Sequence, residues 1–133
     1  MAFLLAVAPH QQIAAIEKIA GRGSRLHGRH GLYLQHVGVV TVPENCFDRL
    51  VEMFPAAYSR LRIFGLEAHD LALSKLERNA ARDREDVKYL ARTVPLDLDL
   101  LETRDRTELR PYLASPERHD PTLRLWRDAI LGS

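Results

Sequence analysis

The stretch that decides the fold is "HDLALSKLERNAARDREDVKYLAR", residues 69–92. It carries helical periodicity on both sides of a break near Asn79-Ala80-Ala81, so it reads as two helices joined by a tight turn. Helical geometry gives about 100° per residue; with Leu71 at 0°, Ala72 falls at about 100°, Leu76 at about 140° and Ala80 at about 180°. Lys75 falls at about 40°, inside the apolar arc, while Glu77 and Arg78 lie outside it. On the second helix, with Asp83 at 0°, Leu90 falls at about 340°, Val87 at about 40° and Ala91 at about 80°. Asp83 thus stands at the N-terminal end of the buried stripe. There it suits the N-cap, with Asp86 in the first turn, where the helix dipole favours an acid. If the two helices form a hairpin, their stripes face each other and Lys75 meets Asp83. Two readings follow. Either Lys75 snorkels and Asp83 caps, or Lys75 is a phosphate-binding cation oriented by Asp83 or Asp86.

Working outward, Thr93-Val94-Pro95 ends the second helix. A third helix fits residues 98–110, where Leu98, Leu101 and Leu109 share a face. In "HDPTLRLWRDAIL" Asp120 reads as an N-cap and Pro121 as the first helical residue, with packing through Leu123, Trp126 and Ile130. Upstream, "RLRIFGLE" reads as a strand, and "VPENCFDRLVEMF" as a turn followed by a short helix. "LYLQHVGVVTV", β-branched and aromatic, reads as another strand, bent at Gly38. "QQIAAIEKIA" is a helix stopped by Gly21. Between these two lies "GRGSRLHGRHG", a basic glycine-rich segment that reads as a solvated loop or, alternatively, as a phosphate cradle through Arg22, Arg25 and Arg29, although it lacks the spacing of a P-loop. The expected fold is α+β: two or three short strands in the N-terminal half and a helical C-terminal half, in a single domain over 1–133.

The chain has 133 residues, 46% apolar and 28% charged, with a formal net charge of +1. Net charge therefore gives no argument for nucleic acid, and any such argument must be local. Cys46 is the only cysteine, which excludes an internal disulfide and points to a reducing compartment, the cytoplasm. "PENCFDRL" offers it no CxxC, so it reads as a structural or half-exposed thiol. The opening "MAFLLAVAPH" has no preceding positive residue and reads as a strand or first helical turns rather than a signal peptide. No run approaches the length needed to cross a membrane. His27, His30 and His36 lack a nearby cysteine or acid, so no metal is expected there.

"LEAHDLALSKL" followed by "RDREDVKYL" resembles the C-terminal motif pair of minimal nucleotidyltransferase-fold proteins, among them the abortive-infection nucleotidyltransferase toxins and related uncharacterised nucleotidyltransferases. There a helix bearing D/E-L-x-x-x-K-L precedes R-D-x-x-D-hydrophobic. The strand and turn in "HGLYLQHVGVVTVPENCFDRLVEMF" are also similar, and the resemblance spans about residues 13 to 130. It implies Lys75 as the nucleotide-contacting lysine, with Arg82, Asp83 and Asp86 as the supporting cluster. The family's catalytic half, with Gly-Ser and a metal-binding Asp-x-Asp, is matched only by Gly23-Ser24. From Lys18 to Pro43 there is no Asp or Glu, and the one Asp-x-Asp, Asp97-Leu98-Asp99, follows the lysine helix.

The resemblance thus implies the back half of a nucleotidyltransferase, cut before its metal site, with no catalytic residue, metal or cofactor. The expected function is a non-catalytic domain that binds a nucleotide, RNA or a protein partner. The alternative is an interaction, inhibitor or antitoxin-like protein with a vestigial nucleotide site; a third reading is a split nucleotidyltransferase completed in trans. An apolar face near residues 32–41 and 61–66 is expected to find a protein partner or form a homodimer.

Overall fold

Helix α1, His10–Ala20, stops at Gly21 for a steric reason. The Gly21 N–H donates to the Glu17 carbonyl at 2.6 Å, and a Cβ there would lie 2.2 Å from that same oxygen. The computed structural model describes residues 10–31, 33–34, 41–53, 55–56, 59 and 62–132. They belong to two compact units: a small one within Leu5–Val40 and a larger one running from Thr41 onward. The apolar start and most of the strand expected over 32–42 lie outside the described residues.

In the small unit, the segment expected to be a loop contains a helix, α2, Arg25–His30. Both ends are capped, which compensates for Gly28 inside it. Ser24 Oγ accepts the His27 N–H at 3.2 Å, and Gly31, in the left-handed conformation at φ 68°, donates its N–H to the His27 carbonyl at 2.9 Å. The chain then returns, and Leu34 N–H bonds the Ala20 carbonyl at the end of α1 at 2.8 Å.

In the larger unit, the helix expected after the turn at 43–45 shrinks to one 3-10 turn, Cys46–Arg49. Strand β1, Val51–Met53, follows and pairs antiparallel with β2, Ile63–Gly65, in the register Val51 to Gly65 and Met53 to Ile63. Cys46 is fully buried rather than half-exposed, and burial, with Asp70 beside it, pushes its thiol up. The fold is α+β, with two antiparallel strands described in the N-terminal half and helices thereafter.

Those helices are α3, Ala68–Arg78; α4, Ala81–Thr93; α5, Leu98–Arg104; and α6, Pro116–Leu131. A π turn, Asp105–Leu109, and a 3-10 turn, Arg110–Tyr112, extend α5 over the range expected for the third helix. Helix α3 is central and packs on α4, α5 and α6. Ala72, Leu73, Leu76, Val87, Leu101, Leu109 and Trp126 form the core, with Leu90, Leu98, Leu123 and Ile130 packed around it. Helix α6 begins earlier than expected: Ser115 is the N-cap, Pro116 takes the first position and Pro121 lies inside. Tertiary bonds hold this added turn, since His119 and Asp120 are both tied to other elements, and they outweigh the backbone bond that Pro121 cannot donate. Among the described residues, no helix is long and apolar enough to cross a membrane.

Candidate functional site

The break between α3 and α4 is built by Asn79. It ends α3 in the left-handed conformation, φ 49° and ψ 36°, and its N–H bonds the Lys75 carbonyl at 2.8 Å. Its side-chain oxygen accepts the Trp126 indole N–H at 3.2 Å, so the same residue anchors α6. Ala80 is extended and starts α4. Asp83 is therefore the third helical residue, not the N-cap; from there its carboxylate reaches back to accept the Ala80 N–H at 2.9 Å.

This hairpin brings Lys75, Asp83 and Asp86 together. Lys75 Nζ donates to Asp86 Oδ2 at 2.7 Å and lies 3.5 Å from Asp83 Oδ1. The nearer partner of Lys75 is thus Asp86. Asp83 is held chiefly by Arg78, which makes a two-pronged bond to it, one prong at 2.9 Å. Arg78 keeps the Asp83 carboxyl below the usual carboxylate range against the effect of burial; the Ala80 N–H and Lys75 act in the same sense. The Lys75 side chain is only 2% exposed and that of Asp83 0%. Arg82 is exposed and joins none of these bonds.

A second charged layer joins α3 to the 3-10 turn and to the α5 region. Arg49 binds Asp70 through Nε and Nη2, both at 2.8 Å, and reaches Glu108 at 2.8 and 3.2 Å. Asp70 and Glu108 hold the Arg49 guanidinium charged well above its ordinary range, and Arg49 in return lowers the Glu108 carboxyl. Arg104 bonds Glu67 at 2.5 Å and Asp70 at 3.2 Å. His69 Nε2 accepts the Asp97 N–H at 2.9 Å, so its Nδ1 carries the proton and donates to Glu67 Oε1 at 2.6 Å. Burial alone would raise the Glu67 carboxyl, but His69 and Arg104 together bring it below its usual range.

A third group sits at α6. His119 lies between Asp105, on the π turn, and Glu77, on α3, with its Nδ1 3.1 Å from Glu77 Oε2. Burial opposes the imidazolium, but the two carboxylates prevail and raise its pKa. Asp97-Leu98-Asp99, the one Asp-x-Asp of the sequence, is a helix cap: Asp97 Oδ1 accepts the Asp99 and Leu100 N–H groups at 3.0 and 3.1 Å. Among the described residues, no three His, Cys, Asp or Glu side chains are grouped to hold a metal ion. Nor does any buried side-chain nitrogen or oxygen among them lack a hydrogen-bond partner.

Of the four residues singled out in the sequence, the fold brings Lys75, Asp83 and Asp86 together and leaves Arg82 apart; Arg49, Glu67, Asp70, Arg78, Arg104, Glu108 and His119, which complete the charged clusters, were not singled out. One signal was available. Asp70 opens the D-L-x-x-x-K-L run and lies one turn before Leu73, on the edge of the apolar arc.

The basic segment of the small unit is different in kind. Arg22, Arg25 and Arg29 are all exposed. The Arg22 guanidinium lies 5.8 Å from the centre of the Tyr33 ring, and the His27 ring meets Tyr33 edge-on at 4.6 Å between centres.

A protein family described as "Nucleotidyltransferase of unknown function (DUF6036)" matches residues 30–127. That match takes in the α3–α4 hairpin and both charged layers of the larger unit. No curated protein and no solved structure matches the chain.

Proposed function

The chain belongs to this nucleotidyltransferase family, and from that premise we propose that it is a binding member rather than a catalytic one, with RNA as its ligand. Arg22, Arg25 and Arg29 of the small unit supply the contact. The observation that carries the reading is the commitment of the acids. Asp70, Asp83, Asp86, Asp105, Glu67 and Glu108 are each bonded to a cation of the same chain. Phosphoryl-type transfer needs carboxylates available to hold divalent metal against the triphosphate. Lys75 is likewise occupied by Asp86. Arg22, Arg25 and Arg29 are exposed on a basic segment, which makes them the arginines offered to phosphates.

Two measurements test this. Purified chain, incubated with labelled ATP, CTP, GTP or UTP, magnesium or manganese, and RNA or protein acceptors, should transfer no nucleotide. Metal-dependent labelling that disappears in Lys75→Ala would sink the non-catalytic reading. Fluorescence anisotropy with single-stranded RNA should show binding that weakens with salt. Three phosphate contacts give a slope of about −2 in log K against log salt. Arg22→Ala, Arg25→Ala and Arg29→Ala combined should remove it.

A protein partner, or a second copy of the chain, is the competing reading. It is favoured by Phe47, 53% exposed, Val51, 52%, and Tyr112, 61%, the last joined to Glu44 and so close to the same 3-10 turn. Light scattering at high concentration decides it: a monodisperse monomer removes the homodimer.

A further inference from the structure

Tyr33 is placed with some care for a residue that is 40% exposed. Gly31 turns the chain back, and the Leu34-to-Ala20 backbone bond fixes the returning segment on the end of α1. His27, against which the Tyr33 ring packs edge-on, is itself oriented, because its Nδ1 accepts the Gly23 N–H at 3.0 Å. The Tyr33 ring borders a cavity of about 260 Å³ shared with Glu17, Gly21, Arg22 and Leu34. The cavity is open to solvent on one side and is lined by the acidic residue Glu17 as well as by Arg22. Arg25 and Arg29, four residues apart on α2, stand on one face of it.

We propose that this cavity receives one unstacked base of single-stranded RNA on the Tyr33 ring, with Arg22 beside it and Arg25 and Arg29 on flanking phosphates. The inference rests on the RNA-binding reading above and adds to it the form of the ligand. A duplex keeps its bases stacked and presents only backbone to such a surface, whereas a single strand can offer a base to an aromatic face. Exposed arginines alone would favour the more highly charged duplex, so a preference for the single strand reports on the ring and cavity.

The test is anisotropy with a labelled uridine-rich RNA of about 12 nucleotides, single-stranded and as a duplex, on the full chain. Wild type should prefer the single strand. Tyr33→Leu, which keeps apolar bulk and the fold but has no π face, should bind the single strand about 5- to 150-fold more weakly. Tyr33→Phe should stay within about 2-fold of wild type, since it retains the ring. Circular dichroism confirms that both variants fold. If wild type binds RNA, Arg25→Ala/Arg29→Ala weakens it and Tyr33→Leu does not, the cavity proposal is overturned while the RNA reading stands. If wild type binds neither single strand nor duplex, the RNA reading itself falls, and the base site with it.

Discussion

Lys75→Met keeps most of the lysine stem and removes the charge that joins α3 to α4. Removing one partner of a buried pair costs about 3–5 kcal/mol. Two features reduce that here. Asp83 keeps Arg78 and the Ala80 N–H, and the Asp86 side chain is 20% exposed, so water can reach it. The variant also escapes the cost of desolvating an ammonium group. The expected loss is about 2 kcal/mol, and it belongs to Asp86 rather than Asp83. Urea unfolding followed by Trp126 emission measures it. Trp126 is the only tryptophan, is 6% exposed, and bonds the residue that ends the Lys75 helix. With an ordinary urea slope, the midpoint should fall by about 1 M. Adding Asp86→Asn should recover at least half of the loss, because it removes the orphaned charge. Adding Asp83→Asn should recover nothing, because Arg78 would then lose its two-pronged bond to a carboxylate. An unchanged or higher midpoint in Lys75→Met, or a better rescue by Asp83→Asn than by Asp86→Asn, would refute the reasoning.

Three further outcomes are expected. The His119 pKa is raised on folding, so its contribution is fully present below the unfolded value of about 6.5 and is lost as pH rises through the folded value. Urea midpoints should therefore fall as pH is raised above about 6.5, and His119→Gln should flatten that slope; an identical slope in the variant counts against the clamp. Asp70→Asn weakens the hold on Arg49 and Arg104 together and should cost about 3 kcal/mol, read by thermal unfolding; a wild-type melting temperature contradicts it. Asn79→Ala loses the Trp126 bond and leaves a side chain strained at positive φ, for a cost of about 2 kcal/mol. Asn79→Gly should cost less because glycine accepts that conformation, and equal losses would show that only the indole bond matters.

The α3–α4 hairpin was legible because its signals are local: period 3.6, a break at an Asn, and charges inside apolar arcs. What could not be read was which acid Lys75 meets. Helical angles place Lys75 and Asp83 on facing stripes, but Arg78, assigned to the exposed side, folds back over the turn and takes Asp83, leaving Asp86 to the lysine. The arc of α3 was also misjudged. The expected arc ran from Leu71 at 0° to Ala80 at about 180° and left Asp70 unassigned; yet Leu71 is only half-buried, and burial runs from Lys75 at about 40° round to Asp70 at about 260°. That width follows from three helices packing on α3, which no single-helix periodicity records. The start of α6 failed for the same reason. Asp120-Pro121 is a good local start signal, but Asp105, Glu77 and Arg110 reach residues 119 and 120 from distant parts of the chain. The capping of α2 was visible in Ser24 and Gly31, but the intervening glycine and the basic run masked it.

The same residue types can bind phosphate or bind one another, and the balance of charge within a site separates the two. In the α3 region, cations and acids are bonded to one another, so a phosphate arriving at Lys75 would have to displace Asp86, and a metal arriving at Asp70 would have to displace Arg49 and Arg104. Each displacement leaves a partly buried charge without its partner, at a cost comparable to what the ligand brings. Variants that free an acid here should therefore lose stability before they gain any affinity for metal. Residues 22–29 obey the opposite arithmetic. Their arginines are solvated and no acid lies between Lys18 and Pro43 in the sequence, so a polyanion there displaces water and counterions. Ligand recognition is thus expected first at the exposed arginines of residues 22–29, while Lys75, Arg78, Asp83 and Asp86 tie α3 to α4.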